Sequence, residues 1–224
     1  MDKLVITNLA ERPTRALATI LGVALGIVLV VVTSGLATGM LRETGERESN
    51  VGAELLFQPP GSFGVGMNTT PLSLPVPYAK AIADVEGVAA ASPVGRYMRS
   101  GAGGLGFELI EGIEFEPGEG YQSYPDVTGL KVVEGRSPGG PQEIIIDRRR
   151  ATDHGTEVGS SVELFGRPFT IVGIYEPEIG ARVKMPLASM QELLGDPGKS
   201  SWILIKTAFP ELQDEVASRV EQSF

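Results

Sequence analysis

Two glycine-rich stretches resemble the loops that bind phosphate groups, and the first is the more complete. Residues 101–106, Gly-Ala-Gly-Gly-Leu-Gly, match the G-x-G-x-x-G pattern of dinucleotide-binding folds. In those folds a strand precedes the glycines, and the N-terminus of a helix follows them and meets the pyrophosphate. Here the strand-like segment FELIEG follows instead. We therefore predict a flexible hairpin loop at 101–106 and no nucleotide site.

The second stretch, Gly-Asp-Pro-Gly-Lys-Ser at residues 195–200, resembles the end of a P-loop. The G-x-x-x-x-G-K-[ST] spacing would require a glycine at position 193, where the sequence has Leu193. The segment before it also reads as a helix, whereas a P-loop follows a strand. We predict a helix-ending turn here and no ATP site in this chain.

The sequence contains few of the side chains that act most often as catalytic bases or metal ligands, with one histidine and no cysteine. His154 is the only histidine, so a Ser-His-Asp triad would depend on it, and no G-x-S-x-G sequence is present. We expect His154 on the surface, and we predict no catalytic residue, cofactor or metal ligand in this chain.

The basic run 148–150 suits lipid head groups or an acidic partner, although a solvated helix face is the favoured interpretation.

The composition excludes further classes of function. The formal net charge of −9 disfavours nucleic-acid binding, which needs a basic surface. The chain has no cysteine, so neither a disulfide nor a thiolate metal site can form. An extracytoplasmic domain without disulfides suits a bacterial envelope.

The strongest signal is an apolar run near the N-terminus. No charged residue lies between Arg15 and Arg42, and about 26 residues of helix are long enough to cross a hydrocarbon core of about 30 Å. A cleaved signal peptide would have an apolar stretch of only about 7–15 residues. We therefore predict a transmembrane helix over residues 16–41. Lys3, Arg12 and Arg15 place the short segment 1–15 in the cytoplasm and the remainder outside.

Small residues in the span form two helix faces. Ala18, Gly22 and Gly26 recur every four residues, as do Gly35 and Gly39. Such faces allow close contact between membrane helices, although glycine is also simply common in membrane helices. The first interpretation predicts that these five residues pack against partner helices.

The remaining sequence alternates helix and strand signals at its two ends. Residues 42–100 contain a strand near Glu54, a helix at PYAKAIADVEG and a strand at VAAASPVGRYM. Residues 101–186 show strands and turns only, and residues 187–224 return to a helix, a strand and a final helix. These patterns predict an α+β fold, in which one α/β unit, 42–100 and 187–224, is split by a β-rich insertion at 101–186.

The segment NLAERPTRALATILGVALG resembles the opening of bacterial ABC-transporter permeases of the MacB/FtsX type. In that family a short cytoplasmic segment leads into the first membrane helix. The soluble part agrees in order, with VEGVAAASPV, IEGIEFE, LKVVEGRSP and EVGSSVELFGRPFTIVGIYEP resembling the family's segments. Each of these matches is weak alone, but together they run through almost the entire chain.

The resemblance implies a periplasmic core domain, in which a β-α-β porter module is interrupted by a β-rich sabre module. It implies a permease subunit of the bacterial cytoplasmic membrane, without a catalytic centre of its own. Its partners would be an ABC ATPase that binds the ATP, a second permease protomer in a homo- or heterodimer, membrane lipid and, in some members, a periplasmic adaptor protein. Export, efflux and lipoprotein release are all activities of the family.

A full permease of this type continues with three more membrane helices, which this sequence does not contain. An alternative from another class therefore stays open, namely a single-pass, membrane-anchored periplasmic scaffold or binding protein that acts alone.

Overall fold

The computed structural model describes residues 13–60, 72–100 and 107–224. It divides the chain into two units, Met1–Glu46 and Arg47–Phe224. The predicted loop at 101–106 and nearly all of segment 1–15 lie outside the described residues.

The described residues of the first unit all belong to helix α1, Pro13–Ser49, which contains the predicted span and continues to the third residue of the second unit. Proline suits the first turn of a helix, because its missing N–H would have no partner there. Thr19 and Thr33 donate their hydroxyls to the carbonyls of Arg15 and Leu29, four residues back, at 3.0 and 2.6 Å. These two hydroxyl groups are thereby satisfied within the helix, as a bilayer requires. By length and composition α1 can cross a membrane.

The second unit is a mixed α+β domain. Its strands are β1 Leu55–Phe57, β2 Leu74–Pro75, β3 Val88–Ser100, β4 Phe107–Ile113, β5 Lys131–Gly135, β6 Glu143–Asp147, β7 Ser161–Leu164, β8 Arg167–Glu176, β9 Val183–Pro186, β10 Lys199–Ser200 and β11 Trp202–Thr207. Its helices are α2 Pro77–Ala83, α3 Tyr124–Thr128, α4 Arg148–His154, α5 Leu187–Leu194 and α6 Gln213–Ser223, the last preceded by a 3₁₀ turn at Pro210–Leu212.

Nine of the strands form one sheet in the order β1-β11-β3-β4-β9-β6-β8-β5, with β7 also pairing with β8. The remaining two, β2 and β10, pair separately. Strands from both ends of the sequence, β1, β3 and β11, are continuous with the strands of segment 101–186 through the antiparallel β3–β4 pair.

Strand alternation distributes the side chains between two faces of this sheet. On one face, Ala91 and Ile203 pack under α2 and α6. The same face continues along the sheet under α4 and α5, where Ile144, Ile146 and Met185 are buried. On the other face, residues such as Val94, Tyr124 and Trp202 form a third cluster, to which α3 contributes.

Two glycines allow α5 to lie close to the sheet. Gly95 on β3 is directly opposite Gly112 on β4. A Cβ on Gly95 would lie 2.8 Å from the Met190 sulfur, and a Cβ on Gly112 would lie 3.0 Å from the Met190 Cβ and 3.3 Å from the Leu187 Cα. The paired glycines therefore form a flat patch that only a residue without a side chain can supply.

The expectation of strands and turns only within 101–186 is wrong at α3 and α4. Both helices begin at a capping side chain, since the Ser123 hydroxyl accepts from the Asp126 N–H and the Asp147 carboxylate accepts from the Arg150 N–H. Both end at a glycine in the left-handed conformation, Gly129 and Gly155. Both helices are too short to show helical periodicity, although α4 includes the basic run 148–150, for which a helix face was the favoured interpretation.

We predict that Gly112→Ala lowers the free energy of unfolding by about 1–3 kcal/mol, because the new methyl group overpacks the α5 interface. Gly139→Ala is the matched control, since the nearest atom to its added Cβ is 3.8 Å away. Urea denaturation of both variants measures the difference. Equal stabilities would show that α5 does not pack closely against Gly112 of β4.

Candidate functional site

A row of three charged side chains crosses the sheet on the face covered by α3. Arg96 on β3 is the direct cross-strand partner of Glu111 on β4, and Glu111 is in turn the partner of Lys184 on β9. All three side chains are buried. The charges alternate in sign across three adjacent strands, so that Glu111 is shared by two cations.

The hydrogen bonds within this row are short, and aromatic rings lie against both cations. Glu111 accepts a hydrogen bond from Arg96 at 2.6 Å on Oε1 and from Lys184 at 2.5 Å on Oε2. The Arg96 guanidinium lies 4.1 Å from the centre of the Trp202 ring. The Lys184 ammonium lies 4.7 Å from the Tyr124 ring and 5.3 Å from the Tyr175 ring. Aromatic faces thus replace part of the hydration that both cations lose on burial.

These neighbours fix the ionisation of Glu111. Burial by itself raises the pKa of a carboxyl group, but Lys184 and Arg96 outweigh it and lower the pKa of Glu111 from 4.5 to about 2. Burial lowers the pKa of Lys184, and the Glu111 carboxylate opposes that shift. We infer an ionised Glu111 at neutral pH, because its two hydrogen bonds come from charged donors.

A second charged group is built around Arg47, the first residue of the globular unit and the third from the end of α1. Its guanidinium forms a buried ion pair with Asp147 and a second contact, of 3.3 Å, with Glu178. Asp147 is fully buried, and its other oxygen accepts from the Arg150 N–H at the start of α4. One carboxylate therefore both caps α4 and holds Arg47.

The loop 177–182, which we call the connecting loop, lies against both charged groups. Arg47 donates to the carbonyl of Gly180 at 3.2 Å. A Cβ on Gly180 would lie 2.6 Å from the Glu111 Oε2, so the backbone of the loop approaches that carboxylate closely. The Tyr175 hydroxyl lies within hydrogen-bonding distance of the carbonyls of Ile179, at 3.3 Å, and Ala181, at 2.6 Å, which fixes the path of the loop.

The two charged groups together contain three cations and three carboxylates, but the charges within each group do not cancel. Arg96 and Lys184 share the single carboxylate Glu111, whereas Arg47 contacts the two carboxylates Asp147 and Glu178. Glu178 belongs to the connecting loop itself and also lies 4.0 Å from the Arg149 guanidinium, so the excess negative charge of the second group is shared with that arginine. Such an arrangement ties elements together and offers no nucleophile with an adjacent base. Within 13–60, 72–100 and 107–224, no three His, Asp or Glu side chains are placed to hold a metal ion.

The residues that the sequence singled out lie elsewhere. His154 is exposed at the end of α4. Lys199 pairs with Asp196 at 2.6 Å, and Gly195 ends α5 in the left-handed conformation, so the P-loop-like stretch is the predicted helix-ending turn. A strand, β4, follows the glycines at 101–106. The basic run pairs with acidic side chains: Arg148 with Glu134 and Glu176, Arg149 with Asp153, and Arg150 with Glu108.

Sequence reasoning missed Arg47, Arg96, Glu111, Asp147 and Lys184. A weak signal was present, because Glu111 alternates with Leu109 and Ile113 on what would be an apolar strand face. Lys184 likewise lies between two buried neighbours of β9. A charge within an apolar strand indicates burial with a partner, but the partner comes from another strand and is set by the sheet order.

The chain combines an apolar helix long enough to span a membrane with a globular α+β domain. The family model of the MacB-like periplasmic core domain matches residues 16–223. The chain belongs to this family, which is found in ABC-transporter permeases, and the resemblance seen in the sequence is thereby confirmed.

Curated relatives agree with this assignment. The chain is 29% identical over 177 residues to the macrolide export ATP-binding/permease protein MacB of Neisseria meningitidis serogroup A, and equally to that of serogroup B. The match covers 75% of this chain but only 27% of each relative. The chain therefore spans about a quarter of the length of these proteins.

Two solved structures share the fold. The extracellular domain of the noncanonic ABC-type transporter YknZ from Gram-positive bacteria superposes with a TM-score of 0.54 at 17% identity, over 75% of this chain and 90% of that one. The periplasmic region of MacB from Actinobacillus actinomycetemcomitans gives a TM-score of 0.52 at 16% identity, over 75% and 81%. The predicted α+β class, with one N-terminal apolar helix, is confirmed.

We predict that Glu111→Gln lowers the free energy of unfolding by about 3–5 kcal/mol at neutral pH, since it leaves two buried cations without a counter-charge. A carboxyl group whose pKa is lowered on folding stabilises the protein above its unfolded pKa, and this contribution disappears as the pH falls through the folded pKa. The difference in unfolding free energy between wild type and variant should therefore become smaller as the pH falls from 4.5 to about 2. Urea titrations at several pH values measure it, and a gap independent of pH would contradict an ionised Glu111.

We also predict that Arg47→Ala lowers the free energy of unfolding by about 3–5 kcal/mol, because Asp147 would stay buried without its ion-pair partner. Arg42→Ala is a matched control on the same helix, since Arg42 makes an exposed i,i+4 pair with Glu46 and such pairs contribute little. Thermal unfolding of both variants in detergent provides the comparison. Similar melting temperatures would rule out a structural role for the Arg47–Asp147 pair.

Proposed function

We propose that this chain is the N-terminal part of a permease subunit of a MacB/FtsX-type ABC transporter. A separate or fused ATPase binds and hydrolyses the ATP, and the resulting motion changes the conformation of the periplasmic domain, which drives export, efflux or lipoprotein release. The single observation that carries the proposal is the match to the MacB-like periplasmic core domain over residues 16–223. The curated relatives, which are named as ATP-binding/permease proteins, support the coupling to an ATPase.

The absence of a local chemical centre among the described residues fits a role in transmission. The charged side chains of the domain core pair with one another. Arg47, which follows the span, pairs with Asp147, which ends β6 and caps α4. We propose that motion enters the domain at Arg47, where force on the backbone would act on a buried ion pair rather than on a flexible linker.

We further propose that the protein resides in the bacterial cytoplasmic membrane, with residues 1–15 in the cytoplasm, α1 in the lipid and the main domain in the periplasm. The basic residues Lys3, Arg12 and Arg15 support this orientation. Segments 42–100 and 187–224 would form the porter-like module, and segment 101–186 the sabre-like module. A second permease protomer, and in some systems a periplasmic adaptor protein, would complete the assembly.

Co-purification tests the proposal. The gene product, expressed from its natural operon with a tag and extracted in mild detergent, should carry an ABC ATPase and a second permease copy. Recovery of a stable lone protein under the same conditions would favour the alternative of an anchored scaffold or binding protein that acts by itself.

The small-residue faces of α1 predict where partner helices dock. A Cβ added at Gly22, Gly26, Gly35 or Gly39 would meet no atom within 4 Å, so these faces are open to a neighbour. We expect Gly22→Leu with Gly26→Leu to weaken association between protomers by about tenfold or more, because the larger side chains prevent close helix approach.

Energy transfer between labelled protomers in vesicles measures this association. Ala16→Leu is the control, since Ala16 lies about 120° around the helix from Gly22 and about 100° from Gly35, away from both small-residue faces. If the control weakens association as much as the glycine double variant, the glycine face is not the docking face.

A further inference from the structure

A small cavity adjoins the charged row on the face covered by α3. Its volume is about 20 Å³, and its polar lining comes from Arg96, Glu111 and Tyr124. The rest of its lining is apolar: Val51, Leu56, Val94, Trp202 and Leu204. A cavity of at least about 10–15 Å³ with two or more polar partners is large enough for one water molecule. An apolar cavity of this size would stay dry, so the polar lining decides its content.

The polar groups in the lining have the capacity to bind a further molecule. Each oxygen of Glu111 accepts one short hydrogen bond and, as a carboxylate oxygen, can accept another. The Tyr124 hydroxyl lies 3.5 Å from the Glu111 Oε2. That separation is long for an O–H···O hydrogen bond, whose usual range is about 2.5–3.0 Å. The same hydroxyl also accepts from the Lys184 ammonium at 3.2 Å, so the spare acceptor capacity of this lining lies mainly on the Glu111 carboxylate.

Ser92 supplies an independent observation. It is fully buried on β3, and its hydroxyl has no hydrogen-bond partner among the described residues. Strand alternation places Ser92 on the same face as Val94 and Arg96, and its cross-strand partner is Leu204, which lines the cavity. Buried hydroxyl groups are nearly always hydrogen-bonded to protein or ordered water, so Ser92, although it does not itself line the cavity, favours ordered water on this face of the sheet.

We propose that the cavity is a binding site for one internal water molecule, which Arg96, Glu111 and Tyr124 hold by hydrogen bonds. A neutral dipole suits the lining better than an ion does. The Glu111 carboxylate repels an anion and the Arg96 guanidinium repels a cation, whereas water donates to the first and accepts from the second. The bound water supplies a further hydrogen bond to Glu111 and helps to keep this carboxylate ionised inside the sheet.

Magnetic relaxation dispersion of the water nuclei tests the site on the full chain in detergent, because this method counts long-lived internal water molecules. Val94→Ile places a methyl group in the cavity and should remove one such water. Val183→Ile is the control, since Val183 is equally buried but belongs to a different core cluster, and it should leave the count unchanged. An unchanged count in Val94→Ile would overturn the proposal.

A crystal structure of the full chain grown in sodium bromide provides the second measurement, which does not depend on the variant folding. We expect density for one atom within hydrogen-bonding distance of Arg96, Glu111 and Tyr124, without an anomalous bromide signal. A bromide peak would show an anion site, and absent density would show a dry cavity. Either result would overturn the proposal.

Discussion

The buried charges of the globular unit must neutralise one another, and this constraint determines how its strands can pair. A buried carboxylate or ammonium without a partner costs several kcal/mol, so Glu111 can be inside the sheet only if β3 and β9 bring Arg96 and Lys184 to it. A shift of one residue in either strand pair would move a charge to the face under α5. There the paired glycines Gly95 and Gly112 leave no room for it. The charged row and the glycine patch therefore specify the same register from opposite faces.

The second charged group extends this constraint beyond the strands. Arg47 and Asp147 are separated by a hundred residues in sequence, and the Asp147 carboxylate serves both Arg47 and the N-terminus of α4. The connecting loop 177–182 contacts both groups, since the Gly180 carbonyl accepts from Arg47 and the Gly180 backbone approaches Glu111. Displacement of Arg47 would thus disturb a cap, a loop and a buried carboxylate together. That property suits a domain whose proposed role is to receive motion rather than to perform chemistry.

The sequence predicted the parts of the fold that depend on local pattern. The apolar helix, α2, β3, and α5 with Gly195 at its end were predicted correctly, because periodicity and turn residues are strong there. The short helix α3 was missed because it contains too few residues for a period, whereas α4 agrees with the helix face expected at 148–150. The ion pairs were missed for a different reason, since Arg47–Asp147 and Glu111–Lys184 each join distant segments whose contact depends on the order of strands in the sheet. Family resemblance predicted the architecture but none of these pairs.

The central claim is that Arg47 is joined to the domain by a specific buried ion pair, and a double-mutant cycle tests it most directly. Unfolding free energies are measured for the full chain and for Arg47→Ala, Asp147→Ala and the double variant. A specific pair predicts a coupling energy of at least about 1.5 kcal/mol, so that the double variant is more stable than the sum of the single losses implies. Additive losses, with a coupling energy near zero, would contradict the account.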